Sequence, residues 1–235
     1  MEGTERNQLC YRLLMAVDIE GYSKRDTSEQ LLAQRQLSDA LDRAARDVGL
    51  DRSRWDEHVR GDGELVTLPD GVDPGPVTGG FAIALAGALR EINRAALEAR
   101  ARFRLRVRFS LHHGTMTAGP FGPAGDAPIV VQRLLDAGPL RRLLSADPER
   151  DLAYAVSDSL FEDVVRTGFC ALGPEAFQPI KVTAKGAVFR GHILTDQRAL
   201  VRNAPDRPRG TVGERPGLHS LRPVWDGVSD ARSTK

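Results

Sequence analysis

Two carboxylates stand where they could share a cation. Asp18 follows the aliphatic run of residues 13–17, and Asp62 lies in the short segment RGDG, residues 60–63. Two carboxylates that meet without a cation repel each other, and one of them must stay protonated. Mg²⁺ resolves this conflict, since proteins hold it with one or two carboxylates and the oxygens of a bound phosphate. The pair therefore indicates a divalent-metal site. Turn formation or helix capping is the alternative role for each aspartate.

The segment directly after Asp18 suits a phosphate chain. It reads Glu-Gly-Tyr-Ser, residues 20–23. A glycine adopts backbone conformations that let neighbouring N–H groups turn toward an anion. We therefore expect Gly21, Tyr22 and Ser23 to form a triphosphate-binding turn beside the metal site.

The elements that must position these groups follow from the hydrophobic pattern. Residues 11–19 indicate a buried strand. Residues 26–50 indicate an amphipathic helix, with Thr27 and Gln30 at the spacing of a capping box. The Asp-Gly pair in RGDG, between two short extended runs, predicts a β-hairpin.

The second half of the chain completes the pattern. A long helix over 81–103 precedes a strand over 103–112, where apolar and basic residues alternate. A helical segment over 128–144, a strand, a short helix and a closing pair of strands follow. This order predicts an α+β fold: a ferredoxin-like βαββαβ palm core with a C-terminal αβαββ extension. Strands one and three are neighbours in such a core, so we expect Asp18 and Asp62 side by side.

Bulk properties limit the other classes of function. We expect residues 8–197 to form the domain, and the Arg-, Pro- and Gly-rich residues 198–235 to be a disordered tail or a linker. A net charge of +1 favours neither nucleic acid nor an anionic membrane as a partner. No apolar run approaches the roughly 18 residues of a membrane span, and the polar N-terminus does not fit a signal peptide. The two cysteines lack metal or redox spacing, which favours the cytoplasm.

Six segments, taken together, resemble the catalytic domain of class III nucleotidyl cyclases. AVDIEGYS resembles the family's first motif, DIxGFS/T, and RGDGEL resembles its Gly-Asp hairpin. RFSLHHGTMTAG resembles GIHTGxVxxG, and GDAPIVVQRLLDAG resembles GDxVNxAARLxxxA. LAYAVSDSLFEDV resembles the family's strand followed by a short helix, and VTAKGAVFRGHIL resembles LKGxxxPVxVY. The segments keep the family's order over about residues 12 to 194. RGDGEL also resembles the GGDEF hairpin of diguanylate cyclases, but those lack LHHG and the later helix at these positions.

The resemblance implies roles for individual residues. Asp18 and Asp62 fall on the two metal-binding aspartates, and the carbonyl of Ile19 falls on a backbone metal ligand. Lys185 falls on a lysine that binds the triphosphate, and Arg133 on the catalytic arginine that stabilises the transition state. The implied cofactors are two divalent cations, Mg²⁺ or Mn²⁺. The implied assembly is a head-to-tail homodimer, in which one subunit supplies the aspartates and the other supplies the arginine.

Two parts of the family pattern are altered. The family has an asparagine four residues before the arginine, and this chain has Ile129. Losing one such preorganised donor typically costs about 2.7–4 kcal/mol. His58 stands where adenylyl cyclases carry a base-selecting lysine, so it is either a base contact or a half-buried strand histidine. The loop that usually brings a second purine-selecting residue is shortened to Pro123 and Ala124, which leaves the base open.

Adjacent histidines, His112 and His113, look like a metal pair. Consecutive strand residues point to opposite faces, so we expect both to be structural.

Two functions remain open from the sequence. The first is a nucleotidyl cyclase that converts an NTP to a 3′,5′-cyclic mononucleotide and pyrophosphate for signalling. The second is a degenerate cyclase-homology module that binds nucleotide or a regulatory partner protein without turnover. The retained Asp18, Asp62, Arg133 and Lys185 favour the first, whereas Ile129 and the short loop favour the second.

Overall fold

One mixed sheet organises residues 8–202, which are the part of the chain described by the computed structural model. Across the sheet the strand order is β2-β3-β1-β4-β5-β7-β6, and only the β4–β5 pair is parallel. The strands are β1 Cys10–Ile19, β2 Asp56–Arg60, β3 Gly63–Thr67, β4 Val107–Met116, β5 Leu152–Ser157, β6 Phe177–Ala184 and β7 Ala187–Leu194. The predicted α+β fold is confirmed, and β3 is the neighbour of β1.

Four longer helices cover the sheet: α1 Thr27–Asp47, α2 Ala82–Glu98, α3 Asp126–Leu135 and α4 Gly138–Ala146. Short helical segments are Tyr22–Lys24, Arg52–Arg54, Pro74–Pro76, Val77–Phe81, Asp158–Leu160, Phe161–Val165, Pro174–Ala176 and Ala199–Arg202. Within the last of these, Ala199 and Leu200 are buried in the main core. The rest of the predicted tail, from residue 203, lies outside the described residues. No helix between residues 8 and 202 is long and apolar enough to cross a bilayer.

The two faces of the sheet carry separate cores. Alternate residues of β1 point to opposite faces, so Met15 and Val17 join the core under α1 and α2, while Leu14 and Ala16 join a smaller cluster under α3. By the same alternation, Asp18 belongs to the α3 face. The α1 face and the α3 face are named in this sense below.

Three predicted boundaries are wrong, each for a local reason. The capping box of α1 lies one residue earlier than predicted. Asp26 accepts a hydrogen bond from the Glu29 amide, and Glu29 accepts one from the Asp26 amide. The predicted helix over 128–144 is broken because Pro139 follows Gly138 in the first turn of α4.

The third boundary concerns the basic strand. β4 begins at Val107, not at residue 103, because the backbone of Leu105 pairs with a side chain instead of a strand. The Leu105 amide donates to Asn93 Oδ1 at 2.7 Å, and Asn93 Nδ2 donates to the Leu105 carbonyl at 2.9 Å. The side chains of Arg104 and Arg106 bind the segment that precedes β5. The apolar–basic alternation over 103–106 therefore reflects these side-chain contacts and not a β-strand.

His112 makes stability depend on pH. It is 9% exposed, its Nδ1 lies 2.8 Å from Ser157 Oγ, and burial, then the charge of His113, lowers its pKa to about 4. The unfolded chain takes up this proton near pH 6.5, so acidification favours unfolding between pH 6.5 and 4. From pH 7 to 5 the wild type should lose about 2 kcal/mol of unfolding free energy through this group. Urea titrations of wild type and His112→Asn measure it, and an equal pH slope in both would contradict the assignment.

Candidate active site

The β1–β3 pairing brings Asp18 and Asp62 together. Asp18 lies opposite Gly63 in the antiparallel register, and the Ile19 amide donates to the Asp62 carbonyl at 2.8 Å. The pKa of Asp18 lies above its ordinary value because of burial, and the charge of Asp62 raises it further. The negative charge of Asp62 therefore acts on Asp18, which is the repulsion expected of two carboxylates that meet without a cation.

Gly63 allows this approach because it has no side chain. A Cβ at this position would overlap the Val17 carbonyl oxygen and lie 2.9 Å from the Cα of Asp18. The two-residue loop of the hairpin is Gly61 and Asp62, and none of these three residues has a positive φ. The glycine after Asp62 is thus required for space between two backbones, and not for a positive φ.

Arg108 is a site residue that the sequence reasoning missed. It faces Asp18 in the β1–β4 register, and its Nη2 donates to Asp18 Oδ1 at 2.6 Å. This contact opposes the effect of burial on the pKa of Asp18. Its Nη1 also lies 3.4 Å from the Leu135 carbonyl oxygen and 3.7 Å from Asp136. The available signal was the apolar–basic alternation over 103–112, because it puts Arg108 on the face of the sheet opposite to Val107 and Phe109.

The turn after β1 is joined to the hairpin by α1. Gly21 has φ +65°, a left-handed conformation that favours glycine, and the helical turn Tyr22–Lys24 follows it. Gln34, on α1, donates from Nε2 to the Tyr22 hydroxyl at 2.7 Å and to the Gly61 carbonyl at 2.6 Å. The predicted triphosphate turn and the predicted metal hairpin are therefore neighbours.

His58 lies on the same face of the sheet as Asp18. It pairs with Leu65 on β3, which in turn pairs with Ala16 on β1. The loop of residues 119–122 packs beside it, such that a Cβ on Gly122 would lie 3.2 Å from His58 Nδ1. A base contact by His58 remains a prediction, and its position on the α3 face is compatible with one.

Arg133 and Lys185 do not meet Asp18 within one chain. Lys185 lies in the β6–β7 turn, with φ +50°, beyond the end of the sheet opposite to Asp18. Arg133 is on α3 one turn after Ile129, whose 49% exposure marks the side of α3 that faces away from the sheet. The roles of Arg133 and Lys185 in one site with Asp18 therefore stay predictions.

The oxygen atoms near Asp18 fit a hard divalent cation. Asp18 and Asp62 offer carboxylate oxygens, and Ile19 offers a carbonyl oxygen, the ligand types that Mg²⁺ and Mn²⁺ prefer. The negative charge already draws a cationic group, Arg108, to Asp18. Among residues 8–202 no three His, Cys, Asp or Glu side chains are grouped to hold a metal ion. Further oxygens would have to come from water or from a bound phosphate.

Comparisons with known proteins identify the fold. The sequence matches no family model and no curated protein. The guanylyl cyclase Cya2 matches with a TM-score of 0.56 and 13% identity over 80% of this chain and 93% of that chain. The catalytic core of a rhodopsin-guanylyl cyclase in complex with ATPαS matches with a TM-score of 0.54 and 15% identity over 80% and 98% of the two chains.

A third match is an adenylate/guanylate cyclase/hydrolase from Silicibacter pomeroyi. It has a TM-score of 0.53 and 17% identity, and covers 80% of this chain and 99% of that chain. The chain therefore has the fold of class III nucleotidyl cyclase catalytic domains, at sequence identities that show the fold alone. The fold expected from the six segments is confirmed.

Gly63→Ala should separate the two carboxylates and destabilise the protein. The added methyl group collides with β1 backbone, which cannot move as a side chain can, so we expect a loss of about 2 kcal/mol or more in unfolding free energy. Gly61→Ala is the matched control, because a Cβ there meets no atom within 4 Å. Urea unfolding measures both variants. Equal stability of Gly63→Ala and Gly61→Ala would contradict the close approach.

Proposed function

We propose that this chain is a nucleotidyl cyclase that converts an NTP to a 3′,5′-cyclic mononucleotide and pyrophosphate, with the base open, for signalling. The adjacency of Asp18 and Asp62 at the end of β1 carries the proposal. The cyclase fold supports it, as does a structural neighbour in complex with ATPαS.

The proposed roles follow from the charge and position of each group. Asp18, Asp62 and the Ile19 carbonyl would hold two divalent cations, Mg²⁺ or Mn²⁺. Such ions lower the pKa of a ribose 3′-hydroxyl and neutralise the phosphates. The backbone of Gly21, Tyr22 and Ser23 would bind the triphosphate next to them.

Arg108 adds a permanent positive charge at Asp18. Its guanidinium presents several donors in a rigid plane, so it can bind Asp18 and still offer N–H groups to a phosphate oxygen. We infer that it orients Asp18 and contributes to triphosphate binding in the same chain.

The complete site would need two chains. Arg133 and Lys185 lie away from Asp18, so a second copy in a head-to-tail homodimer would bring its Arg133 to the reacting phosphate and its Lys185 to the triphosphate. Its His58 would be the candidate for contact with the base. Two equivalent sites follow from two-fold symmetry.

The second function is a module that binds nucleotide or a regulatory protein without turnover. Ile129 favours it, because an exposed aliphatic side chain, one turn before Arg133, offers no hydrogen bond to a ribose. The two functions share the metal and triphosphate residues and differ in catalysis.

Turnover tests the proposal directly. Purified protein with Mn²⁺ and each of the four NTPs should release pyrophosphate and a cyclic nucleotide with at least one of them. Asp18→Asn and Asp62→Asn should each lower the rate at least about 100-fold, since each removes a carboxylate that would hold the cations needed to neutralise the phosphates. Asp39→Asn, an exposed aspartate of α1, is the matched control and should leave the rate unchanged.

The module would be favoured by a different result. The wild type would then form no cyclic product with any NTP, while a nucleotide would still raise its melting temperature. That raise should also depend on Asp18 and Asp62.

Mixing two inactive variants tests the shared site. Asp18→Asn and Arg133→Ala damage opposite halves, so a mixed dimer keeps one intact site of two. Half of the dimers in an equal mixture are mixed, so co-refolded protein should regain about a quarter of wild-type activity. If both residues served one chain's site, the mixture would stay inactive.

A further inference from the structure

The Gln34 side chain contacts both the triphosphate turn, residues 21–23, and the metal hairpin, residues 56–67. Its Nε2 carries two hydrogens, and they point to two acceptors: the Tyr22 hydroxyl at 2.7 Å and the Gly61 carbonyl at 2.6 Å. Residue Gly61 directly precedes Asp62 in the hairpin loop. A single amide therefore links the loop that carries Asp62 to the turn that follows Asp18.

The hairpin needs such a link because little lies beneath it. On the α1 face a cavity of about 380 Å³ separates the hairpin from α1, lined among others by Leu37, Leu41 and Val59. Close-packed side chains usually fix the position of a strand, and a cavity removes those contacts. Val59, on β2 beside the cavity, is 74% exposed.

Polar contacts hold the hairpin across this cavity. Arg52 and Glu64 both line the cavity, and Arg52 donates from Nη2 to Glu64 Oε2 at 2.7 Å. At the tip, the Ile19 amide holds the Asp62 carbonyl, and Gln34 holds the Gly61 carbonyl. The Ile19 contact fixes the hairpin to β1, whereas the Gln34 contact fixes it to α1 and to Tyr22. Arg52 also ties the hairpin to α1, because it donates to Glu64 and to Asp42 of α1, so the Gln34 contact is the one that reaches the tip.

We propose that Gln34 is a positioning residue that sets the distance between the Asp62 hairpin and the Tyr22 turn, and thereby the affinity for a metal-bound triphosphate chain. The inference rests on the proposed function for its ligand, and it adds a residue that no motif of the sequence indicated. Gln34 touches neither carboxylate and acts through the two loops.

Binding of Mn²⁺ with inorganic tripolyphosphate tests this without any nucleobase. Gln34→Met keeps the length of the side chain and removes both hydrogen bonds, so isothermal titration should show about tenfold weaker binding of the complex. Tyr22→Phe removes one acceptor and should weaken binding about threefold. Gln36→Met, on the same helix, is the matched control and should bind as the wild type does.

A double variant separates positioning from loss of stability. If Gln34 acts through Tyr22, then Gln34→Met combined with Tyr22→Phe should bind no more weakly than Gln34→Met alone, since the shared contact is lost only once. Amide exchange at residues 61–63 should be faster in Gln34→Met than in Gln36→Met, with similar melting temperatures. These results together would support the inference.

Other outcomes would overturn it. If the wild type binds the complex and Gln34→Met binds it equally well, the inference fails while the proposed function stands. Additive losses in the double variant would show that Gln34 does not act through Tyr22, and unchanged exchange at residues 61–63 would show that it does not position the hairpin; either result overturns the inference. If the wild type does not bind Mn²⁺ with tripolyphosphate at all, the proposed function fails, and the role given to Gln34 fails with it.

Discussion

The contact between the backbones of β1 and β3 at Gly63 is the constraint on which the site depends. It brings Asp62 to the end of β1 and concentrates negative charge around a partly buried Asp18. Arg108, on the neighbouring strand, compensates part of that charge by donating a hydrogen bond to Asp18. Negative charge at this position attracts cations, and a metal ion that bound here would have to share Asp18 with the guanidinium or displace it.

The main core and the candidate site residues lie largely on opposite faces of the sheet. The α1 face carries the main core, and it holds the hairpin mostly through polar contacts across a cavity. The α3 face carries Asp18, Arg108 and His58, with α3 covering only part of the sheet. Arg133 and Lys185 lie away from Asp18, so the proposed active site would need a second copy of the chain.

Local signals made the fold and the carboxylate pair predictable. An aliphatic strand ending in Asp18 and an Asp-Gly hairpin are readable over a few residues, and the order of elements then fixes which strands are neighbours. The long-range side-chain contacts around the carboxylate pair could not be predicted from the sequence. Arg108 lies 90 residues from Asp18, and Gln34 lies 27 from Gly61.

The same limit explains the boundary errors. The alternation of residues 103–106 has the period of a strand, yet Asn93 binds the backbone of Leu105, twelve residues away. Periodicity reports which side chains are buried, and it does not report what pairs with the backbone. Gly63 is a similar case, because the Asp-Gly pair predicted the hairpin but not the close approach of the Val17 carbonyl that requires a glycine there.

The most direct measurement is the anomalous scattering of Mn²⁺ in crystals of the wild-type protein soaked with Mn²⁺ and tripolyphosphate. The account predicts an anomalous peak bound by both Asp18 and Asp62, which disappears in Asp62→Asn. No peak at these carboxylates at saturating Mn²⁺, with Arg108 as the sole partner of Asp18, would contradict it.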